Sequence, residues 1–187
     1  MIVDERSPTT FSIPETWIPP TTSLATLSAT EFFDYIQWRK TGRILQYPHN
    51  NVEYAIEHQG RTLVSAISCG VLMENIAYQR AAMQEFLILA PLLQWPEDYV
   101  NSIFSATSAA GKETEAPHPA RQMMVAVVAA KTCGKGKRKV RQGPREKGIA
   151  RGDRIETGTF WGLYDAYCAK SGQECAWPTS VDEFMMK

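Results

Sequence analysis

Gly70-Val-Leu-Met-Glu-Asn-Ile-Ala-Tyr-Gln-Arg-Ala-Ala-Met-Gln-Glu-Phe-Leu-Ile-Leu-Ala90, taken with the shorter run Val52-Glu-Tyr-Ala-Ile-Glu57 before it, decides the fold. In the longer stretch Leu72, Ile76, Met83, Phe86 and Leu87 recur near one face at the helical period, while Glu74, Arg80 and Glu85 lie largely off it. That spacing predicts one long amphipathic helix from about Gly70 to Ala90, closed by Pro91. The shorter run differs. Val52, Tyr54 and Ile56 alternate with Glu53, Ala55 and Glu57, the pattern of a half-buried strand. Gln59-Gly60 could turn it back into Thr62–Ile67 as a small β-hairpin, or that second run opens the next helix. The class expected is α+β, mostly helical, with about five to six helices and the small hairpin.

Outward from this centre, residues 1–27 are rich in Pro, Thr and Ser and lack an apolar period. They read as an extended arm, pinned locally by Phe11, Ile13, Trp17 and Ile18, that either dangles or lies across a neighbouring subunit. Residues 28–187 form one mostly helical domain. Ser28-Ala-Thr-Glu31 has capping-box spacing and opens a helix over about 29–41, with Phe32, Phe33 and Ile36 on one side and Gly42 at its end. Trp95-Pro-Glu-Asp98 starts a short helix with the stripe Tyr99, Val100, Ile103 and Phe104. Residues 105–120 read as a linker. Arg121 to Lys131 predicts a small buried helix built on Met123, Met124, Val125, Val127 and Val128. Helical spacing resumes over Thr159 to Lys170 and stops at Ser171-Gly172. Ser180-Val-Asp-Glu183 repeats the capping-box pattern before Phe184 and Met185. No internal repeat is present.

Charge is sorted along the chain. Residues 131–154 hold ten of the twenty Lys and Arg, opposed only by Glu146 and Asp153, a net of +8 in a neutral chain. The rest therefore carries ten basic against eighteen acidic residues, a net of −8. Gly134, Gly136, Gly143, Pro144, Gly148 and Gly152 deny the segment a stable helix, so it reads as a long basic loop. Segregated charge of this kind points to a polyanionic partner, most simply nucleic acid, with an acidic protein or a neighbouring copy as alternatives. The candidate nucleic-acid-binding residues are Lys135, Lys137, Arg138, Lys139, Arg141, Arg145, Lys147 and Arg151.

The loop lacks aromatic residues, so stacking on unpaired bases needs another source. Phe160, Trp161, Tyr164 and Tyr167 recur at three- and four-residue steps just after it. A basic loop beside an aromatic stripe is the pairing that single-strand binders use. Such a stripe is more often core, and Tyr164 and Tyr167 are the members expected to reach solvent or a base.

Enzymatic signals are weak. Gly111-Lys-Glu-Thr and Gly136-Lys-Arg lack phosphate-loop spacing. His49, His58 and His118 are scattered, and the pairs Glu97/Asp98 and Asp182/Glu183 sit at helix starts, where dipoles explain them. The four cysteines, at 69, 133, 168 and 175, show no Cys-x-x-Cys spacing and read as separate thiols; Cys133, Cys168, Cys175 and a histidine are the alternative, as zinc ligands. No cofactor is expected, and catalysis is not. The N-terminus lacks the features of a signal peptide, and no apolar run reaches membrane-spanning length. A soluble protein of the host-cell cytoplasm, or one associated with virions, is the expectation.

Two resemblances bear on context. Gly158-Thr-Phe-Trp-Gly-Leu-Tyr-Asp-Ala-Tyr167 resembles a Gly-Thr-x-Trp-Gly-Leu-Tyr-Asn-Ala motif of the uncharacterised phage/plasmid-like protein family. The order of Ile56-Glu-His58, a long helix, and Pro91-Leu-Leu to Phe104 is similar to what precedes it there. Asp165 replaces the usual Asn, and Tyr167-Cys168 departs from the usual ending. Leu163-Tyr-Asp-Ala-Tyr-Cys168, Gly172 and Ser180 to Phe184 look like the small helical module at the end of phage primase–helicases. Both imply mobile-element replication or recombination, and neither implies a catalytic residue here.

Overall fold

A computed structural model of the chain describes residues 27–46, 48–94, 97–109, 117–133, 157–171 and 175–185. Among them are seven helices and no strand: α1 (Ala29–Thr41), α2 (Val52–Leu72), α3 (Ile76–Leu89), α4 (Glu97–Ala109), α5 (Pro119–Cys133), α6 (Thr157–Ser171) and α7 (Asp182–Met185). The mostly helical expectation holds. The hairpin does not, and the helix count is higher than expected.

The run expected to be a strand is the first turn of α2. Asn51 caps it, its Oδ1 accepting the Tyr54 N–H at 3.1 Å. The alternation misled because Val52 and Tyr54 are both exposed and lie outside the core. Burial starts at Gly60 and continues through Leu63, Val64 and Ile67, the helical period. Gly60 makes no turn. A Cβ there would lie 2.5 Å from Leu93 Cδ2 and 2.7 Å from the Tyr99 hydroxyl, so glycine lets these side chains lie against α2.

The long stretch from Gly70 to Ala90 is broken by Met73, Glu74 and Asn75. The Asn75 N–H donates to Gly70 O at 2.9 Å and the Glu74 N–H to Val71 O at 3.1 Å. Glu74 adopts φ 53°, so the turn is a Schellman motif with glutamate where glycine usually stands. Asn75 then begins α3, accepting the Tyr78 N–H on Oδ1 at 3.0 Å. Three residues thus satisfy the end of one helix and the start of the next. The chain reverses, and a Cβ added to Gly70 would meet the Gln79 backbone at 2.9 Å. At the opposite end of the helical hairpin, Glu57 Oε1 accepts the Gln94 N–H at 2.7 Å.

Helix α1 has the expected boundaries. Both capping-box bonds form, Glu31 N–H to Ser28 Oγ at 3.2 Å and Ser28 N–H to Glu31 Oε2 at 2.7 Å, and Gly42 closes the helix at φ 70°. Its buried face differs from the expected one. Phe32 and Phe33 are exposed, whereas Tyr35 is buried and its ring stands 5.2 Å edge-on to Tyr78. Trp38 completes that cluster, 4.9 Å from Tyr78.

Two helices organise the core. α2 packs against α1, α3 and α4, and α5 against α3, α4, α6 and α7. Met123 to Ala130 of α5 are buried without interruption, so this helix is apolar all round, as a central element must be. It satisfies the expectation for Arg121 to Lys131. Each large side chain fully buried in this core, such as Leu63, Met83 or Phe86, contributes about 1.5–3 kcal/mol. The stripe Tyr99, Val100, Ile103 and Phe104 is also buried. The expected linker is shorter than 105–120, because α4 runs on to Ala109 and α5 begins at Pro119.

Candidate functional site

The basic segment is framed by α5 and α6, which pack on each other. Its first three residues belong to α5 rather than to a loop. The Lys131 ammonium donates to the carbonyls of Leu93 and Ala90, the latter at 3.3 Å, and so closes the C-terminal end of α3 where partial negative charge collects. Its neighbour Thr132 ties the two framing helices together through a 2.9 Å hydrogen bond between Oγ1 and the Tyr164 hydroxyl. The end of α5 is thus held both to the end of α3 and to α6. Lys135, Lys137, Arg138, Lys139, Arg141, Arg145, Lys147 and Arg151 lie outside the described residues.

The aromatic stripe of α6 faces inward. Phe160, Trp161 and Tyr164 are all buried, with Tyr164 only 2% exposed. Phe160 meets Phe104 of α4 edge-on at 5.6 Å, and Trp161 meets Tyr164 at 5.6 Å. The expectation that Tyr164 reaches solvent is therefore corrected: its ring fills the α5–α6 contact and its hydroxyl engages Thr132. Tyr167 is half-buried, and burial raises its phenol above the ordinary value. Of the four, Tyr167 alone keeps partial exposure at the stripe. The Trp161 Nε1–H is buried without a hydrogen-bond partner.

Sequence reasoning missed Arg121. It is 5% exposed, and its Nε donates to Thr107 Oγ1 at 2.5 Å and its Nη2 to Phe104 O at 3.0 Å and Ser108 Oγ at 2.6 Å. The guanidinium also stands 4.9 Å from the Phe104 ring centroid. This side chain locks α5 onto α4. The only hint was a single cation opening an otherwise apolar run, opposite a Thr-Ser pair in an apparent linker.

The histidines take structural positions. His49 Nδ1 accepts the Asn51 N–H at 3.1 Å, and its ring lies 4.3 Å from that of Tyr54. His58 is on α2, with its ring 5.9 Å from the same tyrosine. His118 Nδ1 accepts the Ala120 N–H at 3.2 Å, at the start of α5. The acidic pairs sit in the first turns of α4 and α7 as expected. Glu183 Oε1 accepts the N–H groups of Thr179 and Ser180, and Asp182 pairs with Arg80. Among the described residues no three His, Cys, Asp or Glu side chains gather to hold a metal ion. Cys168 and Cys175 approach to 3.9 Å, while the Cys133 side chain lies outside the described residues.

The described parts hold eight Lys and Arg against eleven Asp and Glu, so they are mildly acidic. None of the described helices is long and apolar enough to cross a membrane. Compared with known protein families, with curated proteins and with solved structures, the chain matches none.

Proposed function

We propose that this chain binds nucleic acid without catalysis and largely without sequence preference, in the replication, recombination or genome handling of a phage, virus or plasmid. The observation that carries the reading is the gathering of half of all Lys and Arg into residues 131–154 of a chain that is otherwise acidic. Lysines and arginines interspersed with glycines can follow a phosphate backbone without a fixed register, and each neutralised phosphate releases a counterion. Three features of the body support the reading. Lys131 and Thr132 hold the end of α5 before the segment, and Tyr164 holds α6 after it. The acidic body repels phosphates, so contact is confined to the basic segment. Lys131 itself is engaged with the end of α3, which leaves the binding to the residues beyond it. Since Tyr164 is buried, electrostatics outweighs stacking in this mechanism, and Tyr167 is the remaining aromatic candidate at the stripe.

Binding measured against salt tests this directly. If about five phosphates of a single strand are engaged, log affinity falls against log salt with a slope of about −3.5. Replacing Lys135, Lys137, Arg138, Lys139 and Arg141 together by Ser flattens that slope and weakens binding to all sequences alike. An unchanged slope in that variant removes the proposal.

A second reading is self-assembly of a coat-like protein through the arm and the basic segment. It is favoured by apolar side chains left on the surface, Phe33 at 53%, Ile88 at 71% and Leu92 at 64% exposure. Light scattering decides between them: large homo-oligomers in protein freed of nucleic acid support assembly, and a monomer with salt-sensitive binding supports the first reading.

A further inference from the structure

Cys168, in the C-terminal half of α6, and Cys175, at the start of the final segment, bring their Sγ atoms to 3.9 Å. Cys168 is half-buried and Cys175 is buried at 6% exposure. A disulfide holds its sulfurs at about 2.05 Å, so closure needs the two Sγ atoms to approach by about 2 Å. The final segment is already fixed from its other side. The Val181 N–H donates to Gln84 Oε1 of α3 at 3.3 Å, Asp182 pairs with Arg80, and Phe184 is buried where α7 meets α5. A bond between Cys168 and Cys175 would therefore fasten α6 to a segment anchored on α3 and α5. Cys69 offers the contrast: it is fully buried, burial pushes its thiol up to about 12, and its Sγ lies 3.1 Å from Met73 Sδ.

We propose that Cys168 and Cys175 form a redox-active dithiol that a small-molecule disulfide of the glutathione class converts to an intramolecular disulfide. Cys168, the more open thiol, loses its proton to solvent and attacks the small disulfide. A bond forms between Cys168 Sγ and one sulfur of the reagent, the reagent's own S–S bond breaks, and one thiolate leaves. Cys175 then loses its proton and attacks Cys168 Sγ, expelling the second thiolate. The protein pair gives up two electrons, the small disulfide accepts them, and the two protons end on the two released thiols. The product ties α6, the helix that follows the basic segment in the chain, to the C-terminal segment. This inference stands apart from the nucleic-acid reading and survives its failure.

The test uses the full chain carrying Cys133→Ser, so that this thiol cannot compete. It is treated with oxidised glutathione, blocked by alkylation and mapped by peptide mass. The expected product is a Cys168–Cys175 cross-linked peptide lighter by two hydrogens, reversed by dithiothreitol, with Cys69 alkylated only after denaturation. The oxidised form melts several degrees above the reduced form, because closing the loop restricts the unfolded chain. Adding Cys175→Ser stops the reaction at a glutathione adduct on Cys168, with no gain in melting temperature. The proposal is overturned if both thiols remain alkylatable after oxidation, if Cys175→Ser protein acquires no adduct, or if the cross-linked form melts no higher. Should the serine variant fail to fold, the cross-link and the melting shift of the Cys133→Ser protein decide alone.

Discussion

Glu74 and Gly70 sit four residues apart and carry opposite mismatches between residue type and position. Glu74 occupies the left-handed region at φ 53°, where a side chain bearing a Cβ is disfavoured by about 1–2 kcal/mol. Its place in the Schellman turn asks for glycine, so Glu74→Gly is expected to raise stability by about 1 kcal/mol, read as a higher urea midpoint at unchanged slope. Gly70 presents the reverse case. Alanine would gain up to about 1 kcal/mol of helix propensity there. The added methyl would, however, lie 2.8 Å from Gln79 Cβ and 2.9 Å from its Cα and N, atoms that cannot swing aside. Forcing the helices apart costs about 1–3 kcal/mol, so the clash wins and Gly70→Ala lowers the midpoint. A raised midpoint for Gly70→Ala would disprove the close packing of this hairpin, and a lowered one for Glu74→Gly would disprove the strain at Glu74.

At the scale of elements, legibility followed the chemistry of helix ends. α1 and α7 announced themselves through Ser28 with Glu31 and Ser180 with Glu183, because capping is local and written in adjacent residues. The break between α2 and α3 was hidden because Glu74 stands where glycine would have signalled it, and because Leu72 and Ile76, four apart, carried the period across it although Ile76 is 66% exposed. Residues 105–109 looked like linker for their small side chains, yet Ala106 and Thr107 are buried where α5 approaches. The charge of the candidate site was plain in composition, but its frame was not. The role of Lys131 depends on carbonyls 38 and 41 residues earlier in the chain, a contact no local pattern encodes. From that contact follows a prediction that separates structure from binding. Lys131→Met should lower stability by about 1–2 kcal/mol by leaving the end of α3 without its cation, while the salt dependence of nucleic-acid binding stays as in the parent protein. A lowered salt slope with unchanged stability would return Lys131 to the binding surface.

At the scale of the whole molecule, the buried weak acids Cys69, Tyr78 and Tyr99 hold their protons more tightly in the fold than in the unfolded chain. Burial is the leading cause in each case. It pushes the Cys69 thiol from 9.0 to about 12, and it raises the Tyr78 and Tyr99 phenols well above their ordinary 10.0. Acidic neighbours act the same way, Glu31 and Asp34 on Cys69 and Tyr78, and Glu57 on Tyr99, where Arg61 opposes it. In the unfolded chain these groups release their protons at ordinary values, whereas in the folded chain they hold them. Above pH 9 the unfolded state therefore binds fewer protons than the folded one, and stability must fall as pH rises. Below the ordinary values both states are protonated at these sites, and the three groups contribute no slope. The urea midpoint should accordingly show no decline attributable to them up to about pH 8, then drop progressively above pH 9 as the unfolded thiol ionises and more steeply above 10 as the phenols follow. Cys69→Ala removes the first of the three, so its decline, normalised to its own neutral midpoint, should begin nearer pH 10. A parent midpoint unchanged at pH 10.5 would mean that these side chains ionise without opening the core, and that the α2–α3–α4 contact is wetter than its packing implies.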